Sequence, residues 1–259
     1  MKIDYCLHSH TKRCGHASGE DEEYILKAIE LGFKDYGVSD HVMWPDNPQP
    51  GIRGDYSEIE NYISSILALK EKYKDVIHIH LGFECEYSKY YEDYYNHLKN
   101  DPRIEFLIQG QHAYIGEDNK PHWYFSRETS DEDLLHYAKD TIEGMKSGLF
   151  LYLAHPDLFI YSFKEWKPIH TTISEMICQA AEKYNMPLEI NLCKVDWDNG
   201  SGNIKYPVDQ FWEIASKYRI KVYVGGDYHS VEHMNIWKYQ RAYELIEKYH
   251  LDVVETLEK

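Results

Sequence analysis

Three histidines near the start of the chain have the type and spacing of metal ligands. They are His8, His10 and His16, and the first two lie at the end of a short apolar run, residues 3–7, that predicts a strand. Because residues i and i+2 of a strand point to the same face, His8 and His10 would project together toward one ion. Such a pair is weak evidence by itself in a chain with 15 histidines. A metal site needs further ligands from elsewhere in the sequence.

Candidate ligands recur where other predicted strands end. The predicted strands cover residues 3–7, 36–39, 76–83, 106–108, 149–153, 188–191 and 221–224, and longer helical segments separate them. The histidines and carboxylates at or just after the strand ends are His8, His10, His16, Asp40, His41, Glu84, His112, His155, Asp227 and His229. Any one of them has a simpler interpretation as a core histidine, a helix cap or a turn residue. Their recurrence favours one shared metal site.

The alternation of seven strands with helices predicts a parallel α/β sheet. Closed on itself, the sheet forms a seven-stranded barrel, and the alternative is an open, doubly wound sheet. In a barrel the carboxyl ends of all strands meet at one mouth, whereas the outer strands of an open sheet lie too far apart to share a small site. The ligand pattern therefore favours the barrel. No linker or internal repeat divides the chain, so we expect one domain over residues 1–259.

The ligand types indicate transition metals. Imidazoles with a few carboxylates suit Zn, Mn or Fe better than Mg or Ca, which prefer oxygen ligands. Seven imidazoles with two or three carboxylates exceed what one ion uses, so we expect two or three ions. A second pair, His78 and His80, lies in the third strand, but His80 is roughly 13 Å below Glu84 at the usual rise per residue. We therefore exclude that pair from the metal site at the mouth. Cys14 and Cys85 adjoin candidate ligands and are minor alternative ligands for a soft metal.

Composition limits the partners and the compartment. The net charge is −16, which argues against a long nucleic acid held by a basic surface. The five cysteines form no C-x-x-C pair and no secretory leader pattern opens the chain, so a reducing cytoplasm is expected. No apolar run approaches the roughly 20 residues of a membrane helix. We expect a small-molecule partner, and the oligomeric state stays open.

The order of these motifs resembles the PHP (polymerase and histidinol phosphatase) superfamily. The motifs are His8-x-His10, His16, Asp40-His41, Glu84, His112, His155-Pro156-Asp157 and Gly225-x-Asp227-x-His229, and they extend from Met1 to about His229. Chain length and layout resemble the histidinol-phosphatase branch. The resemblance implies a distorted seven-stranded β/α barrel that holds three metal ions.

The resemblance also divides the ligands among the ions. It implies that His8 and His10 hold the first ion with Glu84 and Asp227. It assigns His112 and His155 to a second ion that Glu84 bridges, and His16, His41 and His229 to a third. Asp40 would orient His41 or a neighbouring group.

The implied activity is hydrolysis of a phosphate monoester, with histidinol phosphate as the first candidate substrate. A hydroxide that bridges two ions would be the nucleophile, and the ions would neutralise the phosphoryl charge. Glu84, Asp227 and Asp40 are the candidate catalytic residues. No serine or cysteine nucleophile is required.

The substrate is less well defined than the chemistry. The segment Leu158–Tyr161 lacks an arginine that the family often carries after the His-Pro-Asp motif, and Gly110-Gln111-His112 is one residue shorter than the family's G-S-V-H. The candidate substrate-binding residues are Arg13, Arg53, Arg127 and Lys194, although each is also explained as a solvated surface charge. Alternatives are a phosphoesterase for another small ester or a nucleotide, a non-catalytic metal-binding module and, as a lesser rival, a metal-dependent amidohydrolase.

Overall fold

Parallel strands form the centre of the fold. The computed structural model describes residues 2–124, 129–161, 163–195 and 204–254. The strands β1 (Tyr5–Cys6), β2 (Asp35–Val38), β3 (His78–Cys85) and β4 (Phe106–Gln109) pair in that order, all parallel. An antiparallel hairpin, β5 (Ala113–Ile115) and β6 (Pro121–Trp123), follows β4. The strands β7 (Leu188–Asn191), β8 (Lys221–Gly225) and β9 (Asp252–Val253) form a second parallel sheet.

Single backbone bridges curl the two sheets toward each other. Leu153 bridges both Gln109 of β4 and Leu188 of β7, and Ser9 bridges Tyr228 just after β8. The result is an α/β fold with a curled parallel sheet. The predicted fifth strand at residues 149–153 is not a regular strand but pairs with both neighbours through its backbone, since Leu151 N–H donates to the Leu107 carbonyl at 2.8 Å and Leu153 N–H donates to the Pro187 carbonyl at 2.9 Å.

Helices alternate with the strands as the sequence pattern predicts. They are α1 (Asp21–Leu31), α2 (Ile59–Lys72), α3 (Glu92–Asn100), α4 (Asp131–Ser147), α5 (Pro168–Tyr184), α6 (Asp209–Ala215) and α7 (Tyr239–Tyr249). The acidic turn before α1 forms a capping box between Glu20 and Glu23, and the helix ends before Gly32 as expected. The helix predicted at residues 207–218 is shorter in the structure, as α6. No helix in the described part of the chain is both long and apolar enough to cross a membrane.

A packed apolar layer lies inside the curled sheet, between its two ends. Leu7, Phe106, Ile108, Tyr152 and Ala154 form this cluster, and all five are buried. Because side chains alternate along a strand, His80 and Glu84 of β3 point to the same face, His80 toward the amino ends of the strands and Glu84 toward the carboxyl ends. His80 is bound there by Asp35 and Glu105, at 2.9 and 3.0 Å, so it is separate from the mouth.

Candidate metal centre

The nine predicted ligands converge at the carboxyl ends of the strands, around Glu84. The side chain of Glu84 is 2% exposed. Its Oε2 lies 3.1 Å from His41 Nδ1, 3.3 Å from His10 Nε2 and 3.5 Å from His8 Nε2. Its Oε1 lies 2.8 Å from His155 Nε2 and 3.7 Å from His112 Nε2. One carboxylate therefore faces five imidazoles from four different segments of the chain.

Asp227 closes the other side of the cluster. Its Oδ1 is 3.3 Å from His10 Nε2 and 3.5 Å from His8 Nε2. The same oxygen lies 3.3 Å from His229 Nδ1. His229 in turn places its Nε2 3.1 Å from His16 Nε2, so the third histidine of the opening motif joins the site through the end of β8.

Backbone geometry makes room for the carboxylates. A Cβ at Gly110 would lie 1.8 Å from Glu84 Oε1, and a Cβ at Gly225 would lie 1.8 Å from Glu189 Oε1, so a side chain at either position would displace the carboxylate. His155 and Asp227 adopt left-handed φ angles of 34° and 47°. Such conformations cost on the order of 1–3 kcal/mol each and concentrate at functional sites.

Two buried glutamates that the sequence analysis did not assign hold the imidazoles from behind. Glu189, on β7, places its two oxygens 3.0 and 3.1 Å from His8 Nδ1 and accepts a hydrogen bond from the backbone of His155. Glu86 lies 3.1 Å from His112 Nδ1. The sequence contained an indication of both. Glu86 is two residues after Glu84 and therefore points to the same face of the strand. Glu189 is a carboxylate within a predicted apolar strand, where a buried charge needs a partner.

Asp40 acts on the loop after His10. Its carboxylate accepts hydrogen bonds from the Thr11 backbone N–H at 2.8 Å and from Thr11 Oγ1 at 2.7 Å. His10 Nδ1 lies 4.0 Å from Asp40 Oδ1, too far for a hydrogen bond. Burial raises the pKa of Asp40 to about 7, against the effect of the Thr11 hydrogen bonds. The group that Asp40 positions is therefore Thr11, adjoining His10, and its role in catalysis stays a prediction.

The charge states favour cation binding. Burial would raise the pKa of Glu84, but His8, His41 and His112 hold it well below its usual value. The pKa of Asp227 is also held well below its usual value, because His8 and His229 outweigh the effect of burial. Burial lowers the pKa of His10 to about 3, so this ring is neutral and has a lone pair to offer. Burial also lowers the pKa of His41, well below its usual value.

The arrangement of the ring nitrogens fits metal ions. Four rings place Nδ1 next to an acceptor that is not one of the nine candidate ligand side chains: His8 on Glu189, His112 on Glu86, His16 on the Cys14 carbonyl and His229 on the backbone carbonyl of Asp227. When such a ring is neutral, assigning its hydrogen to Nδ1 from these partners leaves an Nε2 lone pair pointing inward. Inward lone pairs and carboxylate oxygens repel each other unless cations lie between them. His41 Nδ1, although 3.1 Å from Glu84, makes no hydrogen bond to a described residue.

A cavity of about 870 Å³ opens over the cluster. Seven of the nine predicted ligands line it: His16, His41, Glu84, His112, His155, Asp227 and His229. Its outer wall includes Trp123, Leu158, Tyr161, Tyr206 and Lys238. The cavity is large enough for a small phosphate ester, and its wall offers both aromatic and cationic contacts.

The four candidate substrate-binding residues lie in different places. Lys194 lines the cavity, with its Nζ 5.8 Å from the centre of the Tyr161 ring. Arg13 is not among the described residues that line the cavity, and its guanidinium binds the Asp21 carboxylate at 2.8 Å. Arg127 lies outside the described residues.

Arg53 is not the solvated charge that was the simpler interpretation, because it is 2% exposed. It binds Glu86 at 3.0 Å and the Val42 carbonyl at 2.8 Å, and it covers the Trp44 ring at 3.7 Å. This arrangement connects Arg53 through Glu86 to His112.

Known proteins resemble this chain in sequence and in fold. A protein of Deinococcus radiodurans named probable histidinol-phosphatase is 27% identical over 155 residues, which cover 58% of this chain and 59% of the relative. The histidinol-phosphatase of Bacillus subtilis is 28% identical over 92 residues, 33% of this chain and 34% of the relative. The chain thus aligns with less than two thirds of either relative.

A solved structure extends the likeness to nearly the whole fold. The crystal structure of histidinol phosphate phosphatase from Lactococcus lactis, complexed with Zn, L-histidinol and phosphate, matches with a TM-score of 0.75 at 17% identity. The match covers 97% of this chain and 95% of the other. A family model described as the PHP domain matches residues 7–192. The chain, with its histidine and carboxylate cluster at the strand ends, therefore belongs to the PHP domain family.

Proposed function

We propose that this protein is a metal-dependent phosphomonoester hydrolase whose substrate is histidinol phosphate. The observation that carries the proposal is the position of Glu84, whose single buried carboxylate faces five imidazoles beneath an open cavity. The substrate is suggested by the names of the relatives and by the ligands of the Lactococcus lactis structure. The outer wall of the cavity, with its aromatic side chains and Lys194, suits a small ester with a flat organic part.

We propose that the site binds two or three divalent ions, Zn, Mn or Fe. Groups whose donor atoms all lie within 4.8 Å of one another include His8–His10–Asp227, His8–Glu84–His155 and His10–His41–His229. The first of these groups lies within the set implied for the first ion, whereas the other two combine residues assigned to different ions, so the groups support a multinuclear site and leave the division of the ligands a proposal. Divalent ions held there would neutralise the phosphoryl charge and supply an acidified water at neutral pH.

The chain's own side chains keep this ligand set in place. Glu189 orients His8, and Asn191 Nδ2 connects Glu189 at 2.9 Å to Asp227 at 3.2 Å. Glu86, held by Arg53, orients His112. Carboxylates behind metal-binding histidines raise the basicity of the ring and fix its direction.

The proposal extends to architecture and compartment. We propose that the fold is a distorted seven-stranded barrel, in which the segment around Leu153 occupies the position of the fifth strand. The five cysteines are all free, which fits a reducing cytoplasm. The charge of −16 favours a small ester over a long nucleic acid.

Steady-state kinetics over a panel of phosphomonoesters tests the function. The protein is loaded in turn with Zn, Mn and Fe, and histidinol phosphate is compared with an aryl phosphate, a sugar phosphate and a nucleoside monophosphate. We expect kcat/KM to be highest for histidinol phosphate by at least about tenfold, the discrimination that one or two polar contacts supply. A higher value for a nucleotide would favour the second candidate, and no turnover in any metal form would indicate a non-catalytic module.

A further inference from the structure

A second histidine pair lies at the end of β3 opposite to the metal cluster. His78 and His80 are two residues apart on this strand, so their side chains point to the same face. Asp35, at the start of β2, is the register partner of His78. Its Oδ1 lies 3.4 Å from His78 Nδ1 and 2.9 Å from His80 Nε2. One carboxylate oxygen therefore faces a ring nitrogen of both histidines.

A glutamate lies behind the second of these rings. Glu105 Oε2 is 3.0 Å from His80 Nδ1, the ring nitrogen that Asp35 does not contact. Lys70 binds the other oxygen of Glu105 and so helps to fix the carboxylate. When the His80 ring is neutral, the contact with Glu105 places its hydrogen on Nδ1 and leaves the Nε2 lone pair directed at Asp35. Carboxylates contact histidines in this way at metal sites, where they orient the ring and raise its basicity.

The central cluster has the same arrangement. There Asp227 Oδ1 lies 3.5 Å from His8 Nε2 and 3.3 Å from His10 Nε2, and Glu189 lies 3.0 Å from the outer nitrogen of His8. Each group thus combines two histidines at i and i+2, one carboxylate oxygen that faces both, and a second carboxylate behind one ring. The separations also suit an ion, since ligand atoms about 2.0 Å from a tetrahedral Zn lie about 3.3 Å apart.

A cavity at the amino ends of the strands gives solvent access to this group. Its volume is about 1090 Å³, and its lining includes His78, His80 and Glu105. The side chain of His78 is half exposed, and those of His80 and Asp35 are partly exposed. Part of the apolar layer inside the curled sheet also lines this cavity, so it is separate from the cavity over the metal cluster. An ion held here would keep open positions for water.

We propose that His78 Nδ1, His80 Nε2 and Asp35 Oδ1 bind one further transition-metal ion. Two imidazoles and a carboxylate suit Zn, Cu or Ni. An ion pair between a protonated His80 and the two carboxylates accounts for the contacts of that ring, but it gives His78 no role. The bound ion connects β2 to β3 and stabilises the folded chain, because it binds the folded state. The site does not depend on the proposed hydrolysis, since it shares no residue with the central cluster.

The test counts the ions bound per chain. Wild type, His78→Gln and Asp35→Asn are stripped with a chelator, dialysed against graded concentrations of Zn and analysed by mass spectrometry. We expect each variant to bind one ion fewer than wild type. The same difference should appear in the Glu84→Ala background, because the two groups of ligands are separate. Glu105→Gln should keep the ion at high Zn but bind it roughly 10- to 100-fold more weakly, as expected for a residue that only orients a ligand.

The control is His122→Gln, which removes an exposed histidine that contacts one carboxylate, Asp118, at 3.0 Å. We expect this variant to bind as many ions as wild type, and a loss there would show non-specific binding to surface histidines and overturn the inference. Equal counts for wild type and His78→Gln would also overturn it and leave the group as an ion pair. A difference that vanishes in the Glu84→Ala background would place the lost ion in the central cluster, against the proposal. Because the count does not use turnover, failure of the proposed hydrolysis would appear separately.

Discussion

Glu189 lies behind His8, with its carboxylate oxygens 3.0 and 3.1 Å from His8 Nδ1, although the two residues are 181 positions apart in the chain. Both side chains are fully buried. The contact leaves His8 Nε2 directed at Glu84 and Asp227. The orientation of the first histidine of the site is therefore set by a strand from the other end of the sequence.

Glu189→Gln should weaken metal binding. A neutral amide accepts the Nδ1–H hydrogen bond less strongly than a carboxylate, so the His8 ring becomes less basic and a poorer ligand. Changes of this kind cost roughly 10- to 100-fold in metal affinity or activity. Competition with a chelator, followed by metal analysis, measures the loss. Glu175→Gln, on the exposed face of α5, is the matched control. Wild-type affinity in the Glu189 variant would contradict the orienting role.

Glu84→Ala should abolish hydrolysis and remove more than one ion per chain. The reason is that its two oxygens face different sets of imidazoles, with Oε2 toward His41 and Oε1 toward His155. Metal content by mass spectrometry of the purified variant, with the wild type loaded in parallel, gives the count. Full occupancy would rule out a bridging carboxylate.

Arg53→Met should destabilise the fold more than it changes substrate binding. The substitution leaves Glu86 buried without its cationic partner, and breaking such a pair costs about 3–5 kcal/mol. Urea unfolding of metal-free protein measures the free energy of unfolding, and Arg103→Met serves as the exposed comparison. If stability were unchanged while KM rose, Arg53 would instead be a substrate-binding residue.

Lys194→Ala should raise KM for histidinol phosphate more than for an aryl phosphate. Lys194 lines the outer wall, where the organic part of the ester would lie beside Tyr161. Lys183→Ala is a matched control, since Lys183 also lies near a tyrosine ring but is absent from the described lining of the cavity. Equal effects on both substrates would show that Lys194 makes no substrate-specific contact.

The cluster at the opposite end of β3 should make stability depend on pH. Burial opposes both charges, but Glu105 and Asp35 raise the pKa of His80 above 6.5, and His80 with Lys70 lowers the pKa of Glu105 from 4.5 to about 2. The raised histidine stabilises the fold below pH 6.5 and loses its effect as pH rises through the folded pKa. The lowered glutamate stabilises above pH 4.5 and loses its effect as pH falls toward 2.

His80→Gln should therefore cost most stability between pH 4.5 and 6.5, with a smaller loss in alkaline buffer. Urea unfolding at several pH values, with wild type alongside, gives the difference. His97→Gln, on the exposed side of α3 near Asp101, tests whether any histidine would produce this profile. A difference that does not vary with pH would contradict the ion-pair interpretation.

Much of the ligand set could be predicted because its signals are local. The parity of His8 and His10 depends on the two-residue period of a strand, and the placement of Glu84 and His155 depends on the alternation of strands with helices. Parallel strands bring their carboxyl ends to one edge whatever the exact register, so the convergence follows from the pattern. Substrate-binding residues carry no such period, which is why four cationic candidates could not be separated by sequence.

The sequence by itself predicted a metal-binding chemistry, the α/β class and the nine candidate ligands that converge in the structure. Only the tertiary structure decided which side chains bind the outer ring nitrogens of the candidate histidine ligands. The contact of Glu189 with His8 and the connection of Arg53 through Glu86 to His112 both depend on contacts between segments far apart in the chain. Such contacts are set by strand register and by packing, because burial makes one particular partner necessary for each polar group. A linear pattern records the residue types but not those partners.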